Sequence, residues 1–362
     1  MNWFTILLSL PYFFLFMLIW CRLNRIRPFQ PGSGKNIFVS VVIACRNEAE
    51  HIYQILQRIS QQNYPPELFE VIIIDDNSTD DTFDKASDFI GLKNLIVKRN
   101  ETRGKKRAIS QGIDIASGNL ILTTDGDCIM GPDWIGTITA FYVEKNPDLI
   151  ICPVIIDTTP GFFSRFQELE FLGLQGVTAG TAAARMSTMC NGANLAFKKE
   201  SYLKHSENLR YDLFSGDDIF LLHSIKKEKR SKILWLESFD SIVTAASAKT
   251  TMSYLSQRSR WISKGKAYTD KTTVTLAIVT FVTILTQASF LIAGIFIPEF
   301  LLLFLAVLVI KSVPDYLILN NTTTRYGKKH LMKWFLPSQL IYPFYVLAVI
   351  LFSVIYSKKQ FR

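Results

Sequence analysis

The chain has 362 residues, of which 49% are hydrophobic and only 20% are charged. This composition is too apolar for a water-soluble globular protein alone, and it argues against intrinsic disorder. The formal net charge of +9 at pH 7 would suit nucleic acid, anionic lipid headgroups or a phosphorylated substrate. The five cysteines are scattered without a Cys-x-x-Cys pair, which argues against a disulfide framework and a structural zinc site.

Residues 1–21 are predicted to form an N-terminal transmembrane anchor. The stretch 3–21 carries no charge, and a helix needs about 20 residues to cross the hydrocarbon core. Arg22, Arg25 and Arg27 follow it, so the positive-inside rule places the subsequent chain in the cytosol. Because the stretch has no small-residue cleavage site, we predict a retained anchor and not a removed signal peptide.

Residues 272–357 are predicted to contain about three further spans. An apolar tract over about 274–319 is interrupted at Pro298-Glu299, which predicts a helical hairpin, and a last apolar run covers about 334–356. Lysines and arginines lie before the hairpin and between it and the last run, so both loops are expected in the cytosol.

The geometry of the last span is left open by the sequence. Four spans would leave the tail 357–362 outside, yet its basic residues favour the cytosolic side. Pro337 and Pro343 could instead mark a re-entrant segment. Most of the basic surplus is thereby explained by topology and contact with membrane lipids, so we do not expect nucleic acid as a partner.

Between the spans, the sequence predicts a cytosolic α/β domain. Short apolar runs alternate with helical patterns, which is typical of a largely parallel sheet covered by helices on both faces. The predicted strands are 38–45, 70–75, 94–98, 119–125 and 149–156. Ligands of such open sheets bind beyond the carboxyl ends of the strands, so the residues that end each strand matter most.

Carboxylates occur at the ends of three predicted strands. Glu48 follows the first, Asp75 and Asp76 end the second, and Asp125 and Asp127 end the fourth. Helix capping would explain any one of these groups, but not all three at one edge. Asp125 and Asp127 are alternate residues, so one carboxylate can face a ribose while the other binds a hard divalent cation.

A basic segment, Arg103-Gly104-Lys105-Lys106, opens the helical stretch before the fourth strand. It offers cationic side chains and helix-terminal amides to an anion, although a solvated helix start is an alternative. The first helix has neither a Gly-x-Gly-x-x-Gly nor a Walker loop, which excludes the common dinucleotide-binding and P-loop modes.

Five segments of the sequence resemble the motifs of family 2 glycosyltransferases in their order and approximate spacing. They are VVIACRNEAEHI (41–52), EVIIIDDNSTDDT (70–82), RGKKRAISQGIDIASGNLILTTDGDC (103–128), GDD (216–218) and QRSRW (257–261). The chain resembles the membrane-bound members, which include cellulose, chitin and hyaluronan synthases and lipid glycosyltransferases.

The resemblance implies a fold and a division of the chain. Residues 36–250 would form a GT-A-like nucleotide-diphospho-sugar transferase domain, and residues 251–271 an interfacial helix with the QxxRW motif. N- and C-terminal transmembrane helices would flank this α/β region.

The resemblance also implies roles for the acidic and basic residues at the strand ends. Asp76, or its neighbour Asp75, would bind the nucleotide base. Glu48 and Lys105 would complete the donor site for nucleoside and phosphate.

Two acidic pairs would carry the chemistry. Asp125 and Asp127 would hold the ribose and Mg²⁺ or Mn²⁺. Asp218 would be the catalytic base that activates the acceptor hydroxyl. Relatives often have glutamate at the position of Asp217, so the choice between Asp217 and Asp218 stays open, as does N-capping by Asp217.

The QRSRW segment would add Gln257, Arg260 and Trp261 to the donor site. Spacings of three and four place these side chains on one helical face. An arginine fork suits a diphosphate and an indole suits a sugar ring, so the motif would close over donor and acceptor. An interfacial amphipathic helix with Trp261 at the headgroup level is the alternative, and both can hold.

Two further segments have predicted roles. The amphipathic stretch 162–180 is expected to lie against the membrane or to form the acceptor channel. Asn191-Gly192-Ala193-Asn194 looks like an acceptor-pocket loop of the family, with a plain turn as the alternative.

The sequence therefore predicts an inverting, metal-dependent glycosyltransferase of the cytoplasmic membrane. It would move a sugar from a nucleotide-sugar, expected to be a UDP-sugar, to a lipid-linked or polysaccharide acceptor. A processive polysaccharide synthase is the alternative, although about three C-terminal spans are few for a polymer channel. A non-catalytic membrane scaffold should have lost one of the expected site carboxylates, whereas this chain retains all of them. A transporter needs polar or broken helices, which the apolar runs hardly offer.

Overall fold

The computed structural model of the protein divides into two units, a sheet unit and a helical unit. The sheet unit contains Arg27–Asp157 and Met189–Ala246; the helical unit contains the described parts of Met1–Ile26, Thr158–Thr188 and Ser247–Arg362. The described residues are 3–32, 36–158, 160–213 and 215–357.

The sheet unit is built on two β-sheets. The strands are β1 Val39–Cys45, β2 Phe69–Asp75, β3 Leu95–Arg99, β4 Leu120–Asp125, β5 Ile129–Met130, β6 Leu149–Ile151, β7 Val154–Asp157, β8 Leu195–Lys198, β9 Ile233–Trp235 and β10 Val243–Ala246. The main sheet has the order β3-β2-β1-β4-β8-β6-β9, and the small sheet the order β5-β10-β7. In the main sheet β8 is antiparallel to both neighbours, and the other pairings are parallel.

The α-helices are divided between the two units. The sheet unit contains α2 Ile52–Ser60, α3 Thr82–Ser87, α4 Lys105–Ile115, α5 Trp134–Lys145, α7 Lys199–His205 and α8 Asp217–Lys226. The helical unit contains α1 Leu10–Leu23, α6 Phe162–Ala183, α9 Thr251–Ser263, α10 Lys271–Phe296, α11 Glu299–Arg325 and α12 Phe335–Ser357.

The α/β fold predicted from the sequence is confirmed, with one strand predicted wrongly. The first four predicted strands agree with β1 to β4 to within a residue at each end. The fifth, 149–156, is two strands in different sheets, because Pro153 has no N–H to continue the ladder. The short strands β5, β8, β9 and β10 are not predicted by the sequence, since two to four residues give little periodic signal.

The core of the sheet unit lies around β1 and β2. Every side chain of β2 is buried, and Val41, Val42 and Ile43 of β1 are fully buried. Each such side chain contributes about 1.5–3 kcal/mol relative to exposure. Helix α4 lies so close to these strands that a Cβ atom on Gly112 would be only 2.5 Å from Val42 Cγ1. Because β1 pairs in parallel with both β2 and β4, the carboxyl ends of the three strands lie at one edge of the sheet.

The helical unit contains four segments that are long and apolar enough to cross a membrane: Ile6–Leu23, Lys271–Phe296, Glu299–Arg325 and Lys329–Ile355. The first and last lie toward the two chain ends, as the predicted fold class requires. Exposed apolar side chains on them, such as Phe296 at 80%, fit contact with lipid better than contact with water.

The connections within the apolar region are simple. Helix α10 ends at Phe296 and α11 begins at Glu299, with Pro298 as its N-cap residue, at the break that the sequence predicts. Helix α12 continues through Pro343 without interruption. The basic tail 358–362 lies outside the described residues.

Helix α6, which contains the predicted amphipathic stretch 162–180, packs closely on two apolar helices. A Cβ atom on Gly176 would lie 2.5 Å from Ile318 Cγ2 of α11, and one on Gly180 would lie 2.6 Å from Ile19 Cγ2 of α1. Glycines at these positions let the helix backbones approach, as small residues do in membrane helix packing.

A buried polar network links α1, α11 and α12. Lys311 is 1% exposed, and its Nζ donates to Asp315 Oδ2 at 2.6 Å and to Gln339 Oε1 at 2.7 Å. Tyr12 Oη donates to Asp315 Oδ1 at 2.6 Å. Charges inside membrane helices are costly unless they are paired, so this network fixes how the three helices meet.

Replacing Lys311 by Met should destabilise the protein, because it leaves Asp315 buried without its cation. Removing one partner of a buried ion pair costs about 3–5 kcal/mol. The measurement is the unfolding midpoint in detergent. The double variant Lys311→Met/Asp315→Leu should recover much of the loss, and Lys329→Met, at an exposed lysine of the same unit, is the matched control. Equal midpoints for Lys311→Met and Lys329→Met would contradict a stabilising role for the network.

Candidate active site

Predicted site residues of the sheet unit lie at the carboxyl edge of the main sheet. The register pairs Cys45 of β1 with Asp75 of β2, and Ala44 with Asp125 of β4. Asp75 and Asp125 therefore flank the end of β1 on its two sides. After β1 the chain turns at Asn47 with a φ of 56°, which brings Glu48 back to this edge.

The loops after β1 and β2 hold one another by hydrogen bonds. Asn47 N–H donates to Ser78 Oγ at 2.9 Å, and Thr79 N–H donates to Asn47 Oδ1 at 2.9 Å. Glu48 N–H donates to Thr82 Oγ1 at 2.8 Å. The Asn, Ser and Thr residues of these motifs thus build the rim of the site.

Asp75 and Asp76 point into different environments. Asp76 Oδ1 accepts hydrogen bonds from Gly104 N–H and Asn100 Nδ2, both at 2.7 Å. This contact fixes the turn before α4, where Gly104 has a φ of 124° that side chains rarely adopt. Asp75 is fully buried, and its Oδ1 has no hydrogen-bond partner among the described residues. Of the two, Asp76 is the more accessible, at 6% exposed.

Lys105 lies among carboxylates from two distant parts of the chain. Its Nζ is 2.5 Å from Asp125 Oδ1. Burial alone would lower the pKa of Lys105, but the charges of Asp125, Asp217 and Asp218 outweigh this and raise the pKa above its ordinary value. The side chain is therefore a permanent cation in the middle of the acidic cluster.

Lys106, the neighbour of Lys105, has a structural contact that the sequence did not indicate. It is 3% exposed, and its Nζ donates to the carbonyl oxygens of Leu209 and Arg210, both at 2.8 Å. The ammonium also lies 5.0 Å from the centre of the Phe220 ring on α8. Lys106 therefore ties α4 to the segment that leads into α8.

Asp125, Asp127 and Cys128 form the cluster of possible metal ligands. Their ligand atoms all lie within 4.8 Å of one another. Burial, and then the charge of Asp125, raise the pKa of Asp127. Burial and the same two carboxylates raise the pKa of the Cys128 thiol, so the hard oxygens of the two aspartates are the available ligands.

Glu48 lies beside this cluster. A Cβ atom on Gly126 would be 3.2 Å from Glu48 Cγ, so the glycine between Asp125 and Asp127 makes room for the glutamate. Burial, followed by the charges of Asp127 and Asp125, raises the pKa of Glu48 to about 7. The residues at the ends of β1 and β4 thus repel one another strongly.

Asp217 and Asp218 are the first two residues of α8. The N-cap residue is Gly216, with a φ of 97°, and no side-chain cap is formed, so Asp217 is not the N-cap. Asp218 Oδ2 accepts from Gly192 N–H at 3.1 Å, and its Oδ1 accepts from Ile219 N–H at 2.8 Å. Burial, and then the charge of Asp218, raise the pKa of Asp217, while Lys105 opposes this.

The Asn191–Asn194 loop contacts Asp218 through the Gly192 amide. Asn191 Oδ1 accepts from Ala193 N–H at 3.1 Å, which shapes the loop around the Gly192 amide. Asn194 is fully buried; its Nδ2 donates to the carbonyl oxygens of Pro153 and Ser241, each at 2.7 Å. No local pattern in the sequence marked this anchoring role, because its partners are 41 and 47 residues away.

Gln257, Arg260 and Trp261 lie on α9, in the helical unit. Helix α9 begins with a capping box between Thr250 and Ser253. Within this unit, Gln257 and Trp261 are partly buried and Arg260 is exposed.

Comparisons with known proteins agree with the motifs. Residues 40–204 match the model of the family described as Glycosyl transferase family 2. The glycosyltransferase AglE of Haloferax volcanii is 37% identical over 184 residues, which are 50% of this chain and 53% of AglE. A beta-monoglucosyldiacylglycerol synthase of a Nostoc species is 30% identical over 38% of this chain and 31% of its own length. The chain thus spans about half of one of these relatives and less of the other.

A solved structure has the same fold over nearly the whole chain. It is the mannosyltransferase PcManGT from Pyrobaculum calidifontis, in complex with GDP-Man and Mn²⁺. The alignment covers 97% of both chains with a TM-score of 0.57 and 19% identity. This likeness confirms the predicted GT-A-like fold with apolar helices toward both chain ends, and the chain carries a glycosyl transferase family 2 domain, as its strand-end motifs predict.

Proposed function

We propose that the protein is an inverting, metal-dependent glycosyltransferase that transfers a sugar from a nucleotide-sugar to a lipid-linked or polysaccharide acceptor. The observation that carries the proposal is the meeting of Glu48, Lys105, Asp125, Asp127 and Asp218 at one edge of a sheet. These residues come from four separate parts of the chain, and folding stability alone does not require like charges to be gathered there.

The donor would lie across the carboxyl ends of β1, β2 and β4. Asp76, with Asp75 behind it, would bind the nucleotide base, and Asp125 would bind the ribose. Glu48 and Lys105 would complete the site next to the diphosphate. The ion pair with Asp125 holds the Lys105 ammonium in place, so it would stabilise the negative charge that develops on the leaving phosphate without a large rearrangement.

A divalent cation fits the acidic cluster. Asp125 and Asp127 supply hard carboxylate oxygens. Burial first, and then repulsion between neighbouring carboxylates, raise the pKa values of Asp127 and Glu48, and a bound cation would offset both effects. Asp127 and Asp125 would hold Mg²⁺ or Mn²⁺, which, when bound, acts as a Lewis acid and clamp for the diphosphate. PcManGT, which has a similar fold, was solved with GDP-Man and Mn²⁺.

Asp218 would be the catalytic base. The acceptor hydroxyl oxygen attacks the anomeric carbon, its proton passes to the Asp218 carboxylate, and the bond to the diphosphate breaks with its electron pair on the phosphate oxygen. The hydrogen bonds from Gly192 and Ile219 fix the Asp218 carboxylate for this transfer. Attack from the side opposite the leaving group inverts the anomeric centre, and such a base contributes about 10²- to 10⁴-fold to the rate.

The acceptor and the membrane setting are the remaining parts of the proposal. Gln257, Arg260 and Trp261 would close over donor and acceptor, on a helix at the membrane interface. The four apolar segments would anchor the chain in the cytoplasmic membrane, with the sheet unit in the cytosol as the basic flanks indicate. The name of the Nostoc relative refers to a glucosyl lipid, which favours a lipid acceptor.

Replacing either Asp127 or Asp218 by Asn should abolish sugar transfer. Asp127→Asn removes a charge from the proposed metal site, and Asp218→Asn removes the proton acceptor, for an expected loss of about 10²-fold or more. Nucleotide release and labelled product are measured in membranes that contain equal amounts of each variant. Asp114→Asn, at an exposed aspartate of α4, is the matched control. Retained turnover in either variant would refute the role assigned to that residue.

Purified protein with membrane lipid extract should release nucleotide from one class of nucleotide-sugar, and only with Mn²⁺ or Mg²⁺. UDP-, GDP- and TDP-sugars are compared, with UDP-sugars expected to react. Mass analysis after one labelling pulse should show a single added sugar on a lipid. Long chains at low conversion would instead identify a processive synthase, and no transfer from any donor, with or without Mn²⁺, would count against the function.

The stability of the cation-free protein should depend on pH through Glu48. Its pKa is about 7 in the folded state and 4.5 ordinarily, so the folded state keeps a proton that the unfolded chain has lost between these values. The contribution of Glu48 to the free energy of unfolding therefore falls as pH rises between these two pKa values, and it stays low at higher pH.

The free energy of unfolding of Glu48→Gln, relative to that of wild type, should consequently increase when pH is raised from 5 to 8. The expected increase is about 1–2 kcal/mol, which takes into account the partial exposure of the carboxylate. The measurement is the unfolding midpoint at both pH values in buffer without divalent cations. Glu50→Gln, at an exposed glutamate of the same loop, is the matched control. A difference between Glu48→Gln and wild type that does not change with pH would show that the carboxylates do not repel one another as described.

A further inference from the structure

Arg258, which lies between the motif residues of QRSRW, is buried, as is its neighbour Ser259. Its side chain is 6% exposed, and it forms an ion pair with Glu170 of α6, whose side chain is 7% exposed. Arg258 Nε donates to Glu170 Oε1 at 3.2 Å and Nη2 donates to Glu170 Oε2 at 2.6 Å. Two parallel hydrogen bonds fix the plane of the guanidinium, which one hydrogen bond would not do.

The same guanidinium contacts two of the three motif residues. Arg258 Nη1 donates to Gln257 Oε1 at 3.0 Å. Its Cζ lies 4.1 Å from the centre of the Trp261 ring and 4.7 Å from that of Tyr254. Each nitrogen of the guanidinium therefore has its own acceptor, while the faces of the group lie against aromatic rings.

The glutamate is itself held in place. Tyr345 of α12 donates to Glu170 Oε1 at 3.5 Å, and the Tyr345 ring stacks on Tyr254 at 5.4 Å. Burial acts to lower the pKa of Arg258, but the charge and hydrogen bonds of Glu170, together with Tyr254 and Tyr345, outweigh burial and raise the pKa above its ordinary value, so the cation is permanent. The pair thus joins α6, α9 and α12 at one rigid point.

We propose that Arg258 and Glu170 are positioning residues for the QxxRW helix, which hold the Gln257 amide and the Trp261 indole in the orientation needed for sugar transfer. The proposal rests on the function proposed above for this helix. Neither residue needs to contact the substrate. The competing explanation is an ion pair that only stabilises the helical unit.

Two variants separate these explanations. Arg258→Lys keeps the charge but loses the planar fork, and therefore the simultaneous contacts to Glu170 and Gln257. Arg325→Lys is the matched control in the same unit, because Arg325 Nη2 donates to the carbonyl oxygens of Leu23 and Ile26, both at 3.0 Å, away from α9. Comparable loss of thermal stability is expected in both variants.

The first measurement does not need activity. The fluorescence of Trp261 is isolated in each background as the difference from the corresponding Trp261→Phe variant, and its quenching by acrylamide is recorded. Arg258→Lys and Glu170→Gln should increase the quenching of Trp261 about twofold or more, because the indole loses its stacked partner. Arg325→Lys should leave it unchanged.

The second measurement is steady-state nucleotide release from the donor found active. Arg258→Lys should lower kcat about 10- to 100-fold, with the donor KM within about threefold of wild type, since it displaces groups without removing them. Trp261→Ala should show a loss of the same kind, and Arg325→Lys should keep wild-type kcat per folded molecule.

The outcomes are distinguishable. The positioning role alone would be overturned if Trp261→Ala had a low kcat while Arg258→Lys kept the wild-type kcat. Unchanged quenching of Trp261 in Arg258→Lys and Glu170→Gln would also overturn it. Wild-type kinetics for Trp261→Ala, or no transfer by the wild-type protein, would overturn the function proposed for the helix, and the positioning role would fall with it.

Discussion

Repulsion among carboxylates at the carboxyl edge of the main sheet is the interaction on which the site depends. Glu48, Asp125, Asp127 and Asp217 are gathered around one permanent cation, Lys105, and burial raises the cost of each negative charge. The tightly packed strands β1, β2 and β4 can hold this cluster because their apolar side chains supply the stabilisation. The arrangement favours ligands that bring positive charge, or that give up a proton to a carboxylate during the reaction.

Buried ion pairs have a different role in the helical unit. Lys311–Asp315 and Arg258–Glu170 are each completed by further hydrogen bonds: a tyrosine hydroxyl donates to the carboxylate, and a glutamine side-chain oxygen accepts from the cation. Such pairs contribute little net stability compared with apolar residues of the same size, but a wrong helix arrangement would leave them unpaired. They therefore determine which helices meet and at which turn, which contacts between apolar side chains determine only weakly.

The parts that could be predicted depend on local patterns. The apolar runs of β1 to β4, the helix break before Glu299 and the carboxylates that end the strands are all readable from neighbouring residues. The parts that were missed depend on distant partners: Lys106 holds carbonyl groups 103 and 104 residues away, and Asn194 holds carbonyl groups of two other segments. The motif gives no role to Arg258 because it places the reactive roles on its neighbours, whereas the partner of Arg258 lies 88 residues away.

The sequence alone determined the α/β class, the apolar helices and the identity of the acidic residues, because hydrophobic periodicity and strand-end chemistry are local properties. Only the tertiary structure decided that Lys105 meets Asp125, that the Gly192 amide meets Asp218, and that Arg258 lies between Gln257 and Trp261. These contacts depend on strand register and helix packing, which arise from the whole core and not from any single segment.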